Sequence, residues 1–542
     1  MPHVEINTER CAGCQECIIR CPTGALSLNS DEWVAQAEDA LCVGCRQCVR
    51  TCPFSAIAVF GSPVVEERKT TSVSNHGIDM NTDEIRTGFF TWDEAINEAN
   101  RCLLCPDPTC TRGCPAHNNI PGFIAAIREH DLDKATSILS KTSFMPDICS
   151  RVCDQSAQCE GACSWSLAGE KPVAIGLLER FITEQNGVAQ PTVCDDGRGI
   201  SVGVVGSGPA GVSAALELMA HGSTVTIYEK DYELLGVLDW GIPSFSLPDA
   251  TTKRLSDAVS DAKIKVRFGT EIGKDITVDE LLGIHDAVVL AHGASIPIRP
   301  KVAGLDLAGV EDATSFLKRA KEALRNKTRL QDIDENTAVL VIGAGNTAMD
   351  VARSVRRLGG KAIAVDWMDE RFARVRRDEL AEARSEGVEV RFSTSVEKIE
   401  GSSGSVSSAL LRHTRQTRAD KNPVITDQTT DVFHCKMVIM AMGYRVDASV
   451  ASKFFNLPRP RPNLKQTIPD RRWTASGVLA VCNVGNIAYE REQGLLESRC
   501  EQTKRVWVAG DALVGPSTVV GAMAHGKAVA DAIVASRPHR GN

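Results

Sequence analysis

One pattern constrains this chain more than any other. Cys11-Ala-Gly-Cys14-Gln-Glu-Cys17-Ile-Ile-Arg-Cys21-Pro22 recurs as Cys42-Val-Gly-Cys45-Arg-Gln-Cys48-Val-Arg-Thr-Cys52-Pro53, an offset of 31 residues. Both copies are C-x2-C-x2-C-x3-C-P. Three thiolates spaced by two residues wrap three irons of one cubane, and the fourth, past a short helical step, points toward the other cubane. Zinc needs one closed tetrahedron per four ligands, which such a triplet crowds. Of the 20 cysteines, 16 lie in the first 163 residues. The other four, Cys194, Cys435, Cys482 and Cys500, read as core or surface thiols. A disulfide scaffold is short, secreted and poor in core. This chain has 542 residues, 43% of them hydrophobic, and opens on MPHVEINTER. With no apolar signal core and no long apolar run, a cytoplasmic protein without a membrane span is expected. A net charge of −8 without a basic stripe argues against nucleic acid as a partner.

Residues 1–60 resemble bacterial two-cluster ferredoxins. The resemblance implies one [4Fe-4S] cluster on Cys11, Cys14, Cys17 and Cys52, and another on Cys42, Cys45, Cys48 and Cys21. Residues 61–90 read as a linker, broken from the preceding strand by Gly61, Ser62 and Pro63. Thr91-Trp-Asp-Glu94 then forms a capping box for a helix from Glu94 to about Cys102. Cysteines follow at 102, 105, 110 and 114 and again at 149, 153, 159 and 163. Between the two sets, Pro121 to about Leu139 has helical spacing. Spacing alone leaves these eight thiolates suited to two cubanes or to two zinc ions.

The rest of the chain carries two dinucleotide fingerprints. The apolar run Ile200–Val205 leads into Gly206-Ser-Gly208-Pro209-Ala210-Gly211 and a helix, and a second strand ends at Glu229 and Lys230. Gly206 makes the tight turn, Gly208 admits a pyrophosphate to the backbone, and Gly211 allows helix and strand to pack closely. Glu229 is placed to accept from ribose hydroxyls. The second fingerprint is Gly343-Ala-Gly345-Asn346-Thr347-Ala348, after the strand 338–342. Its partner strand ends on Asp366, an acid that bonds a free ribose 2′-hydroxyl and repels a 2′-phosphate. NADH is therefore favoured over NADPH. Arg371, Arg374, Arg376 and Arg377 follow closely and keep NADPH as the alternative.

The run 84–105, then 110–123 and 149–163, resembles the N-terminal domain of the glutamate synthase small-subunit family. That family is related to the flavin half of dihydropyrimidine dehydrogenase and to the large subunit of NADH-dependent ferredoxin:NADP oxidoreductases. The resemblance covers about residues 85–540. It implies one cluster on Cys102, Cys105, Cys110 and Cys163, and another on Cys114, Cys153, Cys159 and a non-cysteine ligand, Glu179, with Cys149 as the rival fourth donor. It also gives Gly510-Asp511 and Thr518 to FAD, and matches Gly236, Gly241 and Ile242 to a flavin-side loop. Leu235 departs from that loop, because the family has a glycine there. An Arg-Arg pair that NADPH-using members usually carry just after the strand ending at Asp366 is replaced here by Trp367 and Met368.

The expected protein is thus a multidomain α/β chain. It has a ferredoxin-like domain over 1–60, a linker over 61–90 and an all-helical iron–sulfur domain over 91–195. A Rossmann-like three-layer FAD domain is split into 196–305 and 441–542 around an inserted NAD(P) domain over 306–440. The order of first fingerprint, second fingerprint and Gly-Asp implies that insertion. No protein acid or base is needed for hydride transfer, so no catalytic side chain is assigned. The expected activity passes electrons between NAD(P)H and ferredoxin, or a larger redox enzyme in a hetero-oligomer, through FAD and four clusters. The companion enzyme would be of the 2-oxoacid:ferredoxin oxidoreductase, aldehyde or benzoyl-CoA reductase kind. The alternatives are a glutamate synthase small subunit and a non-catalytic cluster-bearing assembly protein.

Overall fold

The computed structural model describes residues 1–65, 90–189, 199–447, 449–450, 453 and 505–536. Cys194, Cys482, Cys500 and most of the expected linker lie outside the described residues. The chain divides into two compact units.

In the first unit, His3–Ile6 pairs antiparallel with Ile57–Phe60, and Leu26–Asn29 with Val34–Ala37. The cysteine repeat is also a repeat of backbone conformation. Gly13 and Gly44 have φ of 62° and 73°, and Gln15 and Arg46 have φ of 62° and 58°. Each left-handed residue turns the chain into a single helical turn, Glu16–Ile19 or Gln47–Thr51. A Cβ on Gly13 would lie 2.3 Å from the Trp33 carbonyl oxygen, so that turn also needs the missing side chain.

The helical part of this unit holds seven helices among the described residues, with Trp92–Asn100 opened by the expected Thr91/Glu94 capping box. The stretch expected as helical over 121–139 is two helices, Ile120–Arg128 and Leu132–Ser140. His130 sits at φ 56° between them, and the Asp131 side chain caps the second by accepting from the Lys134 N–H. Glu98 and Arg101 form a fully buried ion pair at 2.7 Å. Arg101 also donates to the carbonyls of Lys171 and Pro172, and Glu98 accepts from the Ala174 N–H. These bonds fix the start of helix Ile175–Asn186, which carries Glu179.

In the second unit, one parallel sheet has the order Val506–Val508, Ala287–Leu290, Ser201–Val205, Thr224–Tyr228, Lys265–Arg267. The other has the order Val310–Asp312, Met437–Met440, Ala338–Ile342, Lys361–Val365, Glu389–Arg391. Strands of the first sheet therefore flank the whole second sheet in the chain. The passage out and back is a short antiparallel pair, Ile296–Pro297 with Tyr444–Arg445.

Alternate residues of strand Ala338–Ile342 face different layers. Val339 and Val341 pack with Phe316, Leu317, Met349 and Val351 from two helices. Leu340 and Ile342 pack with Ile399, Val406 and Leu411. Those last residues belong to an antiparallel three-stranded meander, Thr394–Ser402, Ser405–Arg415 and Val424–His434, which replaces the helical crossover of a simple dinucleotide fold. Strand periodicity alone did not mark it as a separate layer.

Candidate cofactor sites

The cysteines of the first unit fall into four groups. Cys11, Cys14, Cys17 and Cys52 line one cavity. Burial pushes the Cys17 thiol up to about 11, and Cys11, Cys14 and Cys52 stand close enough to add to the rise. Cys48 is pushed up to about 12 by burial, with Cys45, Cys21 and Cys42 as its thiol neighbours. Cys110 rises to about 12 in the same way, beside Cys102, Cys163 and Cys105. Such thiols ionise when a metal takes the place of the proton, so four neighbouring sulfurs are suited to binding a metal cluster.

The fourth group is mixed. Cys114 neighbours Glu179 and Cys149, and Cys159 neighbours Cys114 and Glu179. Cys153 stands beside Cys149 and near Glu179. Glu179 is 7% exposed, and its Oε1 has no hydrogen-bond partner. Burial, with Asp147 adding, pushes its carboxyl up to about 8. An orphaned carboxyl oxygen among three buried thiols is of a kind that can serve as a metal ligand. Cys149 lies in the same group, so both fourth donors considered from the sequence are brought to this site.

Two of the four groups adjoin. Cys105 is a thiol neighbour of Cys45, and Arg20 of the ferredoxin-like part bonds Asp107 at 2.7 Å. Gln47 donates to Ser164 Oγ at 2.7 Å, and that oxygen lies 3.4 Å from Cys105 Sγ. Sequence reading did not single out Gln47 or Ser164. Each occupies a position next to a cysteine where the spacing rule asks for no particular residue.

The two dinucleotide loops of the second unit are built alike. Gly206 and Gly343 have φ of 99° and 116°. A Cβ there would lie 2.6 Å from the Ala291 oxygen or 2.4 Å from the Ala441 oxygen. On Gly211 it would be 2.0 Å from the Gly206 oxygen. At Gly208 and Gly345 a Cβ would meet nothing within 4 Å. Each opens a twelve-residue helix, Pro209–Ala220 or Asn346–Arg357. An open space at a helix N-terminus fits a pyrophosphate. Gly236, at φ 53°, faces Gly208 across that space, with its added Cβ 3.6 Å from Gly208 Cα.

The terminal acids are also matched. Glu229 accepts from the Ser207 N–H at 2.8 Å and the Asp231 N–H at 2.9 Å. Asp366 accepts from the Ala344 N–H at 2.9 Å and the Met368 N–H at 2.8 Å. Burial raises the Asp366 carboxyl, and both N–H groups oppose the rise. Asp511 is likewise raised by burial and accepts from Ser517 N–H and Oγ.

Arg376 is held beside the loop by its N–H, which donates to Asn346 Oδ1 at 2.9 Å, and its guanidinium pairs with Asp378. Arg371 pairs with Asp369 at 2.8 Å, while Arg374 and Arg377 are exposed. Leu235 adopts φ 74° and is 1% exposed. The position keeps the left-handed backbone that suits a glycine while burying a leucine.

Three known protein families match successive parts of the chain. Residues 3–53 match the 4Fe-4S dicluster domain, and residues 79–190 match dihydropyrimidine dehydrogenase domain II, 4Fe-4S cluster. Residues 200–463 match the pyridine nucleotide-disulphide oxidoreductases. The glutamate synthase [NADPH] small chain of Azospirillum brasilense is 30% identical over 463 residues, covering 81% of this chain and 89% of that one.

The chain belongs to the glutamate synthase small-chain family. It is a flavin- and iron–sulfur-dependent NAD(P)H oxidoreductase of that family, with two kinds of iron–sulfur domain. AegA of Escherichia coli (strain K12), named as an oxidoreductase, is 29% identical over 556 residues, 97% of this chain and 80% of its own length. The NAD-dependent dihydropyrimidine dehydrogenase subunit PreT of Escherichia coli O157:H7 is 29% identical over 466 residues, 83% of this chain and 96% of its own. Among the described residues, no helix is long and apolar enough to cross a membrane.

Proposed function

We propose that this chain is the electron-transfer subunit of an NADH-dependent ferredoxin-type oxidoreductase. FAD binds at Gly206, Gly208, Glu229 and Asp511, and the nicotinamide nucleotide at Gly343, Gly345 and Asp366. The four sulfur groups hold four [4Fe-4S] clusters, with Glu179 as the non-cysteine ligand. A flavin accepts two electrons as hydride and passes them on one at a time, and the chain supplies position and insulation. The observation that carries this reading is the adjacency of Cys45 and Cys105. The ferredoxin-like part extends the sulfur sites of the helical part, toward a ferredoxin or a larger redox enzyme.

The glutamate synthase small subunit is the second reading, favoured by the Azospirillum brasilense relative. Its test is support of glutamine-dependent glutamate synthesis with a large subunit. For the leading reading, the chain is purified anaerobically with its native companions and mixed with NADH. About sixteen irons per chain, four per cubane, are expected, with bleaching of flavin and clusters and reduction of an added ferredoxin. No reduction by either nucleotide would leave the assembly-protein alternative.

A further inference from the structure

Gln47 stands between two groups of sulfurs. It lies between Cys45 and Cys48 in the chain. Its side-chain Nε2 donates to Ser164 Oγ at 2.7 Å, and Ser164 Oγ lies 3.4 Å from Cys105 Sγ. Gln47 and Ser164 are each only 4% exposed, so little water competes for these bonds.

A serine hydroxyl has one proton and two lone pairs. Gln47 fills a lone pair, and a cluster-bound thiolate can only accept. The hydroxyl proton is therefore directed at Cys105 Sγ. Hydrogen bonds to the sulfurs are one of the means by which a protein sets a cluster potential. A donated proton offsets negative charge on the sulfur and so favours the reduced cluster. Arg50 adds a cation at the same place. Its Nη1 donates to the Cys45 carbonyl at 3.0 Å, and it is a charged neighbour of Cys45, Cys48 and Cys105.

We propose that Gln47 and Ser164 form the junction between the two adjoining clusters, and that Ser164, held by Gln47, raises the potential of the cluster on Cys102, Cys105, Cys110 and Cys163. Gln47 and Ser164 are positioning residues, and the inference rests on the four-cluster reading above. With both clusters bound, one electron would pass from the cluster held by Cys105 to the one held by Cys45. The donor is oxidised and the acceptor reduced by one electron, no bond is made or broken, and Ser164 keeps its proton. Through this junction the ferredoxin-like part would tune the cluster that feeds it.

The test is a redox titration of the full-length, anaerobically purified holoprotein, followed by electron paramagnetic resonance, with iron and sulfide measured in every sample. Ser164→Ala is expected to lower one cluster midpoint by a tenfold change in its oxidised-to-reduced ratio, about 59 mV for one electron. Ser164→Thr, which keeps the hydroxyl, restores the wild-type midpoint. Gln47→Leu lowers the same midpoint by less. The double variant falls no further than Ser164→Ala alone, because Gln47 acts through Ser164. If Ser164→Ala loses iron, Gln47→Leu decides: a lowered midpoint supports the junction, and an unchanged one overturns it. Full iron with an unmoved midpoint in Ser164→Ala, or additive shifts in the double variant, also overturns it. A wild-type chain that holds fewer than four clusters overturns the cluster reading instead.

Discussion

The Asp366 carboxylate accepts the Ala344 N–H at 2.9 Å, tying the end of one strand to the glycine turn of its neighbour. The acid is thereby held against the loop where an adenosine ribose would lie. A 2′-phosphate there would meet a half-buried carboxylate, whereas a free 2′-hydroxyl can donate to it. NADH is expected to reduce the flavin faster than NADPH. Asp366→Ser with Trp367→Arg should narrow that preference by about tenfold, about 1.4 kcal/mol. Stopped-flow reduction with each nucleotide checks it, and equal or faster reduction of the wild type by NADPH would refute the assignment.

Glu179 and Cys149 compete for the same role. Glu179→Gln keeps the volume and removes the anion, and is expected to cost about four irons, one cubane. Cys149→Ala is expected to keep its iron. The opposite pattern in an iron and sulfide assay would assign the ligand to Cys149.

The buried Glu98–Arg101 pair is predicted to hold the Glu179 helix in place. Removing one partner leaves an uncompensated charge, at a cost of about 3–5 kcal/mol. Arg101→Leu should therefore lose iron from the helical part although every ligand is intact. A second-site Glu98→Leu should recover part of it. Unchanged iron content in Arg101→Leu would show that the pair does not support the site.

His285 gives a pH dependence of known sign. Its ring nitrogens bond Ser201 Oγ at 2.8 Å and Tyr228 Oη at 2.9 Å. Burial, with Arg267 adding, lowers its pKa below the ordinary 6.5. The unfolded chain takes up a proton near pH 6.5 and the folded chain does not. This contribution to stability is therefore full above pH 6.5 and is lost as pH falls toward the folded value. Urea titration followed by flavin fluorescence should show a midpoint falling below pH 6.5. His285→Gln should have a flatter slope in that range, and a slope equal to wild type would remove His285 as the cause.

Much of this molecule is local and therefore legible in the sequence. The cysteine repeat dictates two equivalent turns, because Gly13 and Gly44 must turn left-handed within three residues of fixed ligands. Gly206, Gly211 and Gly343 are needed where backbone oxygens come within 2.6 Å of a missing Cβ. The Thr91/Glu94 capping box is likewise a property of four consecutive residues.

What failed to show was non-local. The meander over 394–434 has ordinary strand periodicity, and only its packing on Leu340 and Ile342 makes it a layer. The break at His130 depends on a left-handed residue that no glycine or proline announces. Leu235 occupies a glycine's conformation because burial of its side chain offsets the strain. The sequence by itself determined the ligand types, the glycine turns and the order of the cofactor motifs, since each depends on neighbours along the chain. Only the tertiary structure decided that Glu179 is left with an orphaned oxygen and that Gln47 reaches Ser164 from 117 residues away. Those facts depend on packing between segments that spacing along the chain does not encode.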